Sequence, residues 1–94
     1  MTTEVATLKV WTTLYAAKAR ADRPMTERTL ANITGYAREE LTEHLAGLIA
    51  DSYVRRRRER GITPDKDKEF VWLTDEGAEA FDAYVAELRR IAGR

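Results

Sequence analysis

The stretch of residues 53 to 74, YVRRRRERGITPDKDKEFVWLT, constrains the fold of this chain more than any other part of the sequence. It contains two runs with strand-forming residues, at about residues 53 to 58 and 69 to 73. The linker between them, GITPDKDK, is rich in Gly, Pro and Asp, which turns and loops favour. The stretch therefore predicts a β-hairpin with a long loop, and four consecutive arginines lie in its first strand.

Helical periodicity covers most of the remaining chain. Apolar residues recur at intervals of three and four in four segments, and each segment predicts a helix. The segments are about residues 3 to 20, a short run after Thr26, about residues 37 to 50, and about residues 74 to 92. Thr26 and Thr74 are suited to cap a helix, and Gly35 permits a tight turn between the second and third helices. The predicted fold is mainly α with a small β-hairpin, in the order helix, helix, helix, strand, strand, helix.

Composition restricts the classes of protein to consider. A chain of 94 residues fits one domain with a modest core, for which a partner subunit would add stability. No apolar run approaches the roughly 20 residues of a membrane span, and no signal-peptide pattern is present, so we expect a cytoplasmic protein without membrane contact. The sequence has no cysteine and only one histidine, so we expect no bound metal. It has no Gly-rich phosphate loop and no nucleophile at a motif spacing, so we expect no cofactor and no enzymatic activity.

Charge is distributed in blocks along the chain, although the formal net charge is zero. Residues 54 to 68 include seven basic and three acidic residues, whereas residues 39 to 53 include four acidic residues and no Lys or Arg. The distribution of charge matters more than its sum for binding nucleic acid. A chain of this kind can present a positive face while remaining neutral as a whole.

Two short helices joined by a glycine turn and followed at once by a hairpin are the parts of a winged helix-turn-helix, in which the hairpin is the wing. The chain resembles the small winged helix-turn-helix transcriptional regulators of bacteria and archaea, related to the MarR, PadR and ArsR groups. The resemblance rests on LANITGYAREELTEHLAGL, on DSYVRRRRER at the start of the wing, and on VWLTDEGAEAFDAYVAELRRI from the wing into the last helix. It implies a single domain over residues 1 to 94, with a wing at about residues 53 to 73 and a dimerisation helix at about residues 74 to 92. It also implies a homodimeric regulator such as a repressor, with one helix per subunit in the major groove of double-stranded DNA and the wing on the backbone or minor groove.

Candidate DNA contacts lie on the third helix and the wing. The forked guanidinium group matches phosphate, and a narrow A·T-rich minor groove attracts arginine. The candidates are Arg38, Thr42 and His44 on the helix, and Arg55, Arg56, Arg57, Arg58, Arg60, Lys66 and Lys68 on the wing. Neighbouring arginines of a strand point to opposite faces, so at most about half of them can meet one flat surface. Alternatively, the arginines only charge an exposed edge strand and so prevent it from pairing with other chains. The alternative for His44 is a partly buried position on the helix, without DNA contact.

Some residues favour a protein partner instead. The third helix carries three glutamates, Glu39, Glu40 and Glu43, and a phosphate-lined groove would repel three carboxylates. One of them could accept a hydrogen bond from cytosine N4. Glu39 and Glu40 could instead interact favourably with the helix dipole at the N-terminus. Phe70 and Trp72 are expected on the wing face opposite the core, covered by a partner subunit or another protein rather than by arginine stems. The alternative function is a winged-helix protein-interaction module, such as an antirepressor or an adaptor.

The first and last helices are the expected dimer interface. Apolar residues of the last helix follow near-heptad spacing, and part of that stripe must pack on its own domain. The candidate interface residues are Trp11, Tyr15, Phe81, Tyr84, Leu88 and Ile91.

Overall fold

The computed structural model describes residues 5 to 93 and has a winged-helix fold. The elements are α1 (Val5–Ala16), β1 (Met25–Thr26), α2 (Glu27–Thr34), α3 (Arg38–Ala50), β2 (Val54–Glu59), a 3₁₀ turn (Pro64–Lys66), β3 (Lys68–Leu73) and α4 (Asp75–Gly93). The predicted order of helices and hairpin strands is confirmed. The first two residues of the predicted first helix, residues 3 and 4, lie outside the described residues.

The end of α1 was predicted wrongly. The helix ends at Ala16 and not near residue 20, because Lys18 adopts a left-handed conformation with φ of 57°. The amide of Ala19 donates to the carbonyl of Leu14 at 3.0 Å and the amide of Lys18 to that of Tyr15 at 3.0 Å, the pair of bonds of a Schellman turn. Glycine usually occupies the left-handed position, so a lysine there gave no stop signal in the sequence.

The sheet has three strands and not the two of a simple hairpin. Its order is β1-β3-β2, with both pairs antiparallel, and β3 is therefore the central strand. The additional strand, β1, has two residues, with Met25 opposite Val71 and Thr26 opposite Phe70. A strand of two residues is too short to show the alternation by which strands are recognised in a sequence.

The core lies beneath the sheet and between the first three helices. The predicted apolar face of α3 is buried through Leu41, Leu45 and Leu48, whereas Ile49 is half-buried at its border. The other members of the core cluster are Val10, Trp11, Leu14, Ala19, Leu30, Val54, Val71, Leu73 and Phe81. Burying such side chains contributes on the order of 1.5–3 kcal/mol each, so this cluster is what fixes α3 against the wing.

Three local features define α2, the turn after it and the start of α3. Thr26 caps α2 as predicted, since its hydroxyl accepts from the amide of Thr29 at 3.2 Å. Gly35 ends α2 in the left-handed region with φ of 79°, and its amide donates to the carbonyl of Ala31 at 2.8 Å. α3 then begins with Glu40 accepting from the amide of Ala37 at 3.2 Å, which satisfies a free donor at its N-terminus.

α4 leaves the sheet through a tightly bonded junction and then extends away. Thr74 is its predicted cap: the hydroxyl accepts from the amide of Gly77 at 2.9 Å and donates to the carbonyl of Ser52 at 2.7 Å. The helix has 19 residues, about 28 Å, within a molecule 54 Å long and 26 × 21 Å across. Across residues 5 to 93, no helix combines the length and apolar character needed to cross a membrane.

Candidate nucleic-acid interface

A groove of about 960 Å³ separates the N-terminal ends of α2 and α3 from the wing, which comprises β2, β3 and the loop between them. Five basic side chains line it: Arg28, Arg38, Arg58, Lys66 and Lys68. Four of these were predicted as DNA contacts from the sequence. Four acidic side chains also line the groove: Glu27, Asp65, Asp67 and Glu69. The net charge of the groove depends on which of these four carboxylates already form hydrogen bonds or ion pairs within the protein.

The two aspartates of the wing loop are engaged within the loop. Asp67 accepts from the amide of Gly61 at 2.8 Å, and Asp65 accepts from the hydroxyl of Thr63. The loop is also tightly closed, because a Cβ built on Gly61 would lie 2.2 Å from the Cβ of Lys66. These carboxylates therefore shape the loop that presents Lys66 and Lys68.

Arg56 lies between two carboxylates on the inner face of the wing. Its Nη2 donates to Glu27 of α2 at 2.7 Å and also to Glu69 of β3. Glu27 is buried, so its charge requires this partner. Of the four consecutive arginines, Arg56 is the one that joins α2 to the wing, and its predicted role as a DNA contact has to compete with both carboxylates.

The two glutamates around Arg56 have pKa values shifted in opposite directions. Burial raises the pKa of Glu27, opposed by the charge of Arg56 and assisted by that of Glu69. Burial also acts to raise the pKa of Glu69, but the hydrogen bond and charge of Arg56 outweigh it and hold that pKa below its ordinary value. Glu69 therefore stays ionised to a lower pH than Glu27.

Glu69 also joins α3 to the wing. Its Oε2 lies 3.2 Å from Nη2 of Arg38, in the first turn of α3, and 4.0 Å from Nη2 of Arg58 on β2. The side chains of Arg38 and Arg58 are 77% and 62% exposed, whereas that of Glu69 is 16% exposed. Since a guanidinium has five N–H donors, both arginines keep donors directed to solvent.

The outer face of the wing carries the other two arginines of the run. Arg55 pairs across the sheet with Trp72, and Arg57 with Phe70, which confirms the expected alternation of the arginines. The guanidinium carbon of Arg57 lies 5.5 Å from the ring centroid of Phe70 and 5.9 Å from that of Trp72, within cation–π range. Arg57 thus lies over both half-buried rings, which is the cover by arginine that the sequence favoured less than a partner.

The three candidate contacts of α3 do not share one face. Arg38 and Thr42 lie one turn apart and are linked by a bond from the Thr42 hydroxyl to the Arg38 carbonyl at 2.9 Å. His44 is half-buried on the side that faces α1, with Nδ1 3.3 Å from the hydroxyl of Thr7 and its ring 5.4 Å from that of Tyr36. His44 therefore has the partly buried position that the sequence analysis gave as its alternative.

The glutamates of α3 also separate into two kinds. Glu40 is used at the helix start, where it accepts from the Ala37 amide. Glu39 and Glu43 are exposed and lie one turn apart, on the side of the helix opposite Leu41 and Leu45. Glu40 is exposed as well, but its carboxylate is occupied by the bond from Ala37.

Comparison with known proteins bears on the fold of the chain. No family model and no curated protein sequence matches the chain. Solved structures do match. The transcriptional regulator PA4135 is 26% identical with a TM-score of 0.70, over 94% of this chain and 59% of that protein. A disulfide-formed AbfR is 23% identical with a TM-score of 0.70, over 86% of this chain and 54% of AbfR.

A third match is the PcaV transcriptional regulator from Streptomyces coelicolor, solved in complex with its natural ligand. It is 18% identical with a TM-score of 0.58, over 97% of this chain and 75% of PcaV. The fold is that of winged-helix transcriptional regulators. The chain spans 54% and 59% of the lengths of AbfR and PA4135.

Several residues of this winged-helix surface were not predicted from the sequence. Arg28 lines the groove from α2, together with Asn32 one turn later. Their spacing of four places them on one polar face of α2, a signal that the sequence did contain. Glu27 gave no such signal, because its partner Arg56 lies 29 positions away and only the folded chain brings them together.

The predicted dimer residues divide between core and surface. Trp11 and Phe81 are buried within the winged-helix domain itself, in edge-to-face contact at 5.3 Å between ring centroids. Tyr15 is partly exposed and donates to Asp82, a bond that raises the pKa of the phenol. Tyr84 is half-buried, while Leu88 and Ile91 are 46% and 63% exposed. The end of α4 is thus the part of the predicted interface that remains open.

Proposed function

We propose that this chain is a DNA-binding transcriptional regulator that acts as a homodimer. In this proposal α3 enters the major groove and the wing grips the phosphate backbone or the adjacent minor groove. The observation that carries it is the cluster of five basic side chains around the groove between α3 and the wing. The fold match to transcriptional regulators supports the same assignment.

The basic residues would contribute in different ways. Arg58, Lys66 and Lys68 lie on the wing side of the groove and are suited to phosphate, which fixes position on the duplex without reading sequence. Arg38 lies at the N-terminus of α3, where the first residues of a recognition helix meet base edges. Arg28 at the start of α2 would add a further phosphate contact.

Glu39 and Glu43 would act as a filter on the outward face of α3. Carboxylates near phosphate weaken binding to every duplex, whereas a glutamate placed against cytosine N4 recovers a hydrogen bond. The two residues would therefore lower affinity for unrelated DNA more than affinity for a matched site. Exposed glutamates on α3 are expected if this helix contributes to sequence specificity and not to affinity alone.

Dimerisation would use the exposed end of α4 with Tyr15 and Tyr84. Leu88 and Ile91 present apolar surface there, beyond the region where α4 packs on its own core. A two-fold dimer would present two α3 helices to successive turns of the major groove, so the target site would be a palindrome with half-sites about 10 base pairs apart or a multiple of that spacing.

The direct test is a fluorescence-anisotropy titration with the DNA that flanks the chain's own gene, compared with a scrambled duplex at low and high salt. We expect preference for the native duplex and a steep loss of affinity with salt, because released counterions drive phosphate binding. R58A and K68A should weaken binding to both duplexes and flatten the salt dependence. R90A is the matched control, since Arg90 lies on α4 and pairs with Glu87 there. Equal affinity for native and scrambled DNA, without salt dependence, would refute the proposal.

A second candidate function is a winged-helix protein-interaction module, such as an antirepressor or adaptor. The exposed pair Glu39 and Glu43 favours it, because acidic side chains suit a basic protein surface better than phosphate. The aromatic pair of the wing favours it less, since Arg57 covers both rings. The double variant E39K/E43K separates the two: it should strengthen DNA binding in a regulator and abolish partner capture in an interaction module.

A further inference from the structure

Glu69 occupies the point where α3, β2 and β3 meet. It lies on the central strand of the sheet and reaches Arg38 at 3.2 Å and Arg58 at 4.0 Å. Both arginines line the groove that we assign to DNA, and both side chains are mainly exposed. Their guanidinium groups are therefore shared between an internal carboxylate and the solvent that DNA would replace.

The position of this carboxylate is fixed by a second ion pair. Arg56 donates to Glu69 and, through the same Nη2, to the buried Glu27 at 2.7 Å. Glu69 is only 16% exposed, and its ion pair with Arg56 holds it beside the groove. Its negative charge stays close to the groove whether or not a ligand is present.

A carboxylate and a phosphate present the same kind of acceptor to arginine, and both accept forked guanidinium bonds. The N–H that Arg38 gives to Glu69 must be released or redirected before it can bind phosphate. The attraction between Glu69 and Arg58, an ion pair at 4.0 Å, has to be overcome as well. The remaining negative charge also repels the phosphate itself across a short distance.

We propose that Glu69 is an intramolecular competitor of DNA phosphate, which holds Arg38 and Arg58 in the free protein and lowers the affinity for DNA of any sequence. The proposal rests on the DNA-binding function proposed above. Its consequence is that phosphate contacts alone bind weakly, so that stable binding depends on base contacts made by α3. Glu69 would act as a residue that sets specificity without touching a base.

The test is E69Q, which removes the charge and keeps the side-chain shape. Arg56 retains Glu27 as a partner in this variant, so the wing should remain joined to α2. We expect E69Q to bind native and scrambled duplexes about two- to fivefold more tightly, the range of one exposed ion pair. The slope of the logarithm of the binding constant against the logarithm of the salt concentration should steepen by about one unit. The reason is that the wild-type Glu69 carboxylate, once displaced by phosphate, takes up a cation, whereas Gln does not.

The matched control is E59Q, which removes one negative charge from the same wing. Glu59 pairs with Arg57 on the outer face at 3.1 Å, and within residues 5 to 93 its carboxylate forms no ion pair with Arg38 or Arg58. The affinity of E59Q should stay within about twofold of the wild type, because the Glu59 side chain is exposed and solvent and salt screen its charge. When E69Q is introduced into the R38A variant, its increase in DNA affinity should be smaller than in the wild type. The reason is that the contact between Glu69 and Arg38 is already absent.

The outcomes separate this inference from the proposed function. If the wild-type chain does not bind DNA at low salt, both fail. If it binds and folded E69Q equals E59Q, or binds more weakly than wild type, only the competitor role fails. Thermal unfolding checks the folded state, and should E69Q not fold, E69D retains the charge but shortens its reach to Arg38. E69D affinity at or below the wild-type value would overturn the inference in that case.

Discussion

The indole Nε1 of Trp11 donates a hydrogen bond to the carbonyl oxygen of Gly77 at 3.1 Å, across 66 positions of the chain. The bond is buried and joins α1 to the first turn of α4. Gly77 also packs closely against Tyr53, just before the wing, since a Cβ built on Gly77 would lie 2.1 Å from the carbonyl oxygen of Tyr53. The glycine of the LTDEG segment is thus required by close packing and not by an unusual backbone conformation.

This packing predicts opposite effects for two glycine-to-alanine variants. G77A should destabilise the protein by about 1–3 kcal/mol or more, because the new methyl overlaps backbone that cannot move freely. G47A is the matched control: Gly47 lies inside α3 with open space around its Cβ position, so alanine should stabilise by about 0.5–1 kcal/mol. Urea unfolding of both variants measures the difference. Equal stability of G77A and wild type would show that α4 can shift away from Tyr53.

How much the sequence could predict depended on the range of the interactions. The number and order of the helices, the caps Thr26 and Thr74 and the turn at Gly35 rest on local patterns of a few residues, and these were predicted correctly. β1 was missed because its pairing with Val71 and Phe70 spans about half the chain. The end of α1 was placed too late because Lys18 takes a conformation that glycine normally marks.

The candidate site shows the same division. Alternation along β2 was enough to separate Arg55 and Arg57 from Arg56 and Arg58. It could not show that Arg56 faces Glu27, because no local pattern relates a residue of α2 to a strand 29 positions later. The sequence also could not show which group covers Phe70. Only the three-dimensional position of the Arg57 side chain shows that it lies over the ring.

The ion pairs of Arg56 predict a structural and not only a binding role for this residue. R56M removes the partner of the buried Glu27 carboxylate, and should destabilise the protein by about 1–3 kcal/mol. R55M is the control, since Arg55 is exposed on the opposite face and its replacement should stay within about 0.5 kcal/mol of wild type. Urea unfolding compares the two. Similar stabilities would mean that Glu27 finds another partner or water.

The opposite pKa shifts of Glu27 and Glu69 predict opposite contributions to stability with pH. The folded chain binds a proton at Glu27 more readily than the unfolded chain does, so the contribution of Glu27 falls as pH rises from the ordinary carboxyl pKa through the raised one. The contribution of Glu69 is present above its ordinary pKa and is lost as pH falls through its lowered value.

Carboxyl carbon NMR during a pH titration tests these shifts directly. Glu27 should titrate above the ordinary value for glutamate and Glu69 below it, with E27Q and E69Q spectra providing the assignments. In E69Q the pKa of Glu27 should fall, because the neighbouring negative charge that helps to raise it is gone. An unchanged pKa of Glu27 in E69Q would show that the two carboxylates do not interact through Arg56.

The exposed end of α4 predicts how the homodimer can be broken. L88E and I91E place charges where apolar side chains are open to solvent, and a buried unpaired carboxylate at an interface is strongly unfavourable. We expect the wild type to sediment as a dimer at tens of micromolar and the double variant L88E/I91E to sediment as a monomer that remains folded.

I33E is the control for that experiment, because Ile33 is an exposed apolar residue of α2, outside the predicted interface. It should leave the dimer intact. Loss of the dimer should also weaken DNA binding, since two linked α3 helices reach a palindromic site with one association step. A wild-type chain that sediments as a monomer would remove the homodimer from the proposal, and so would a dimer that survives both charges on α4.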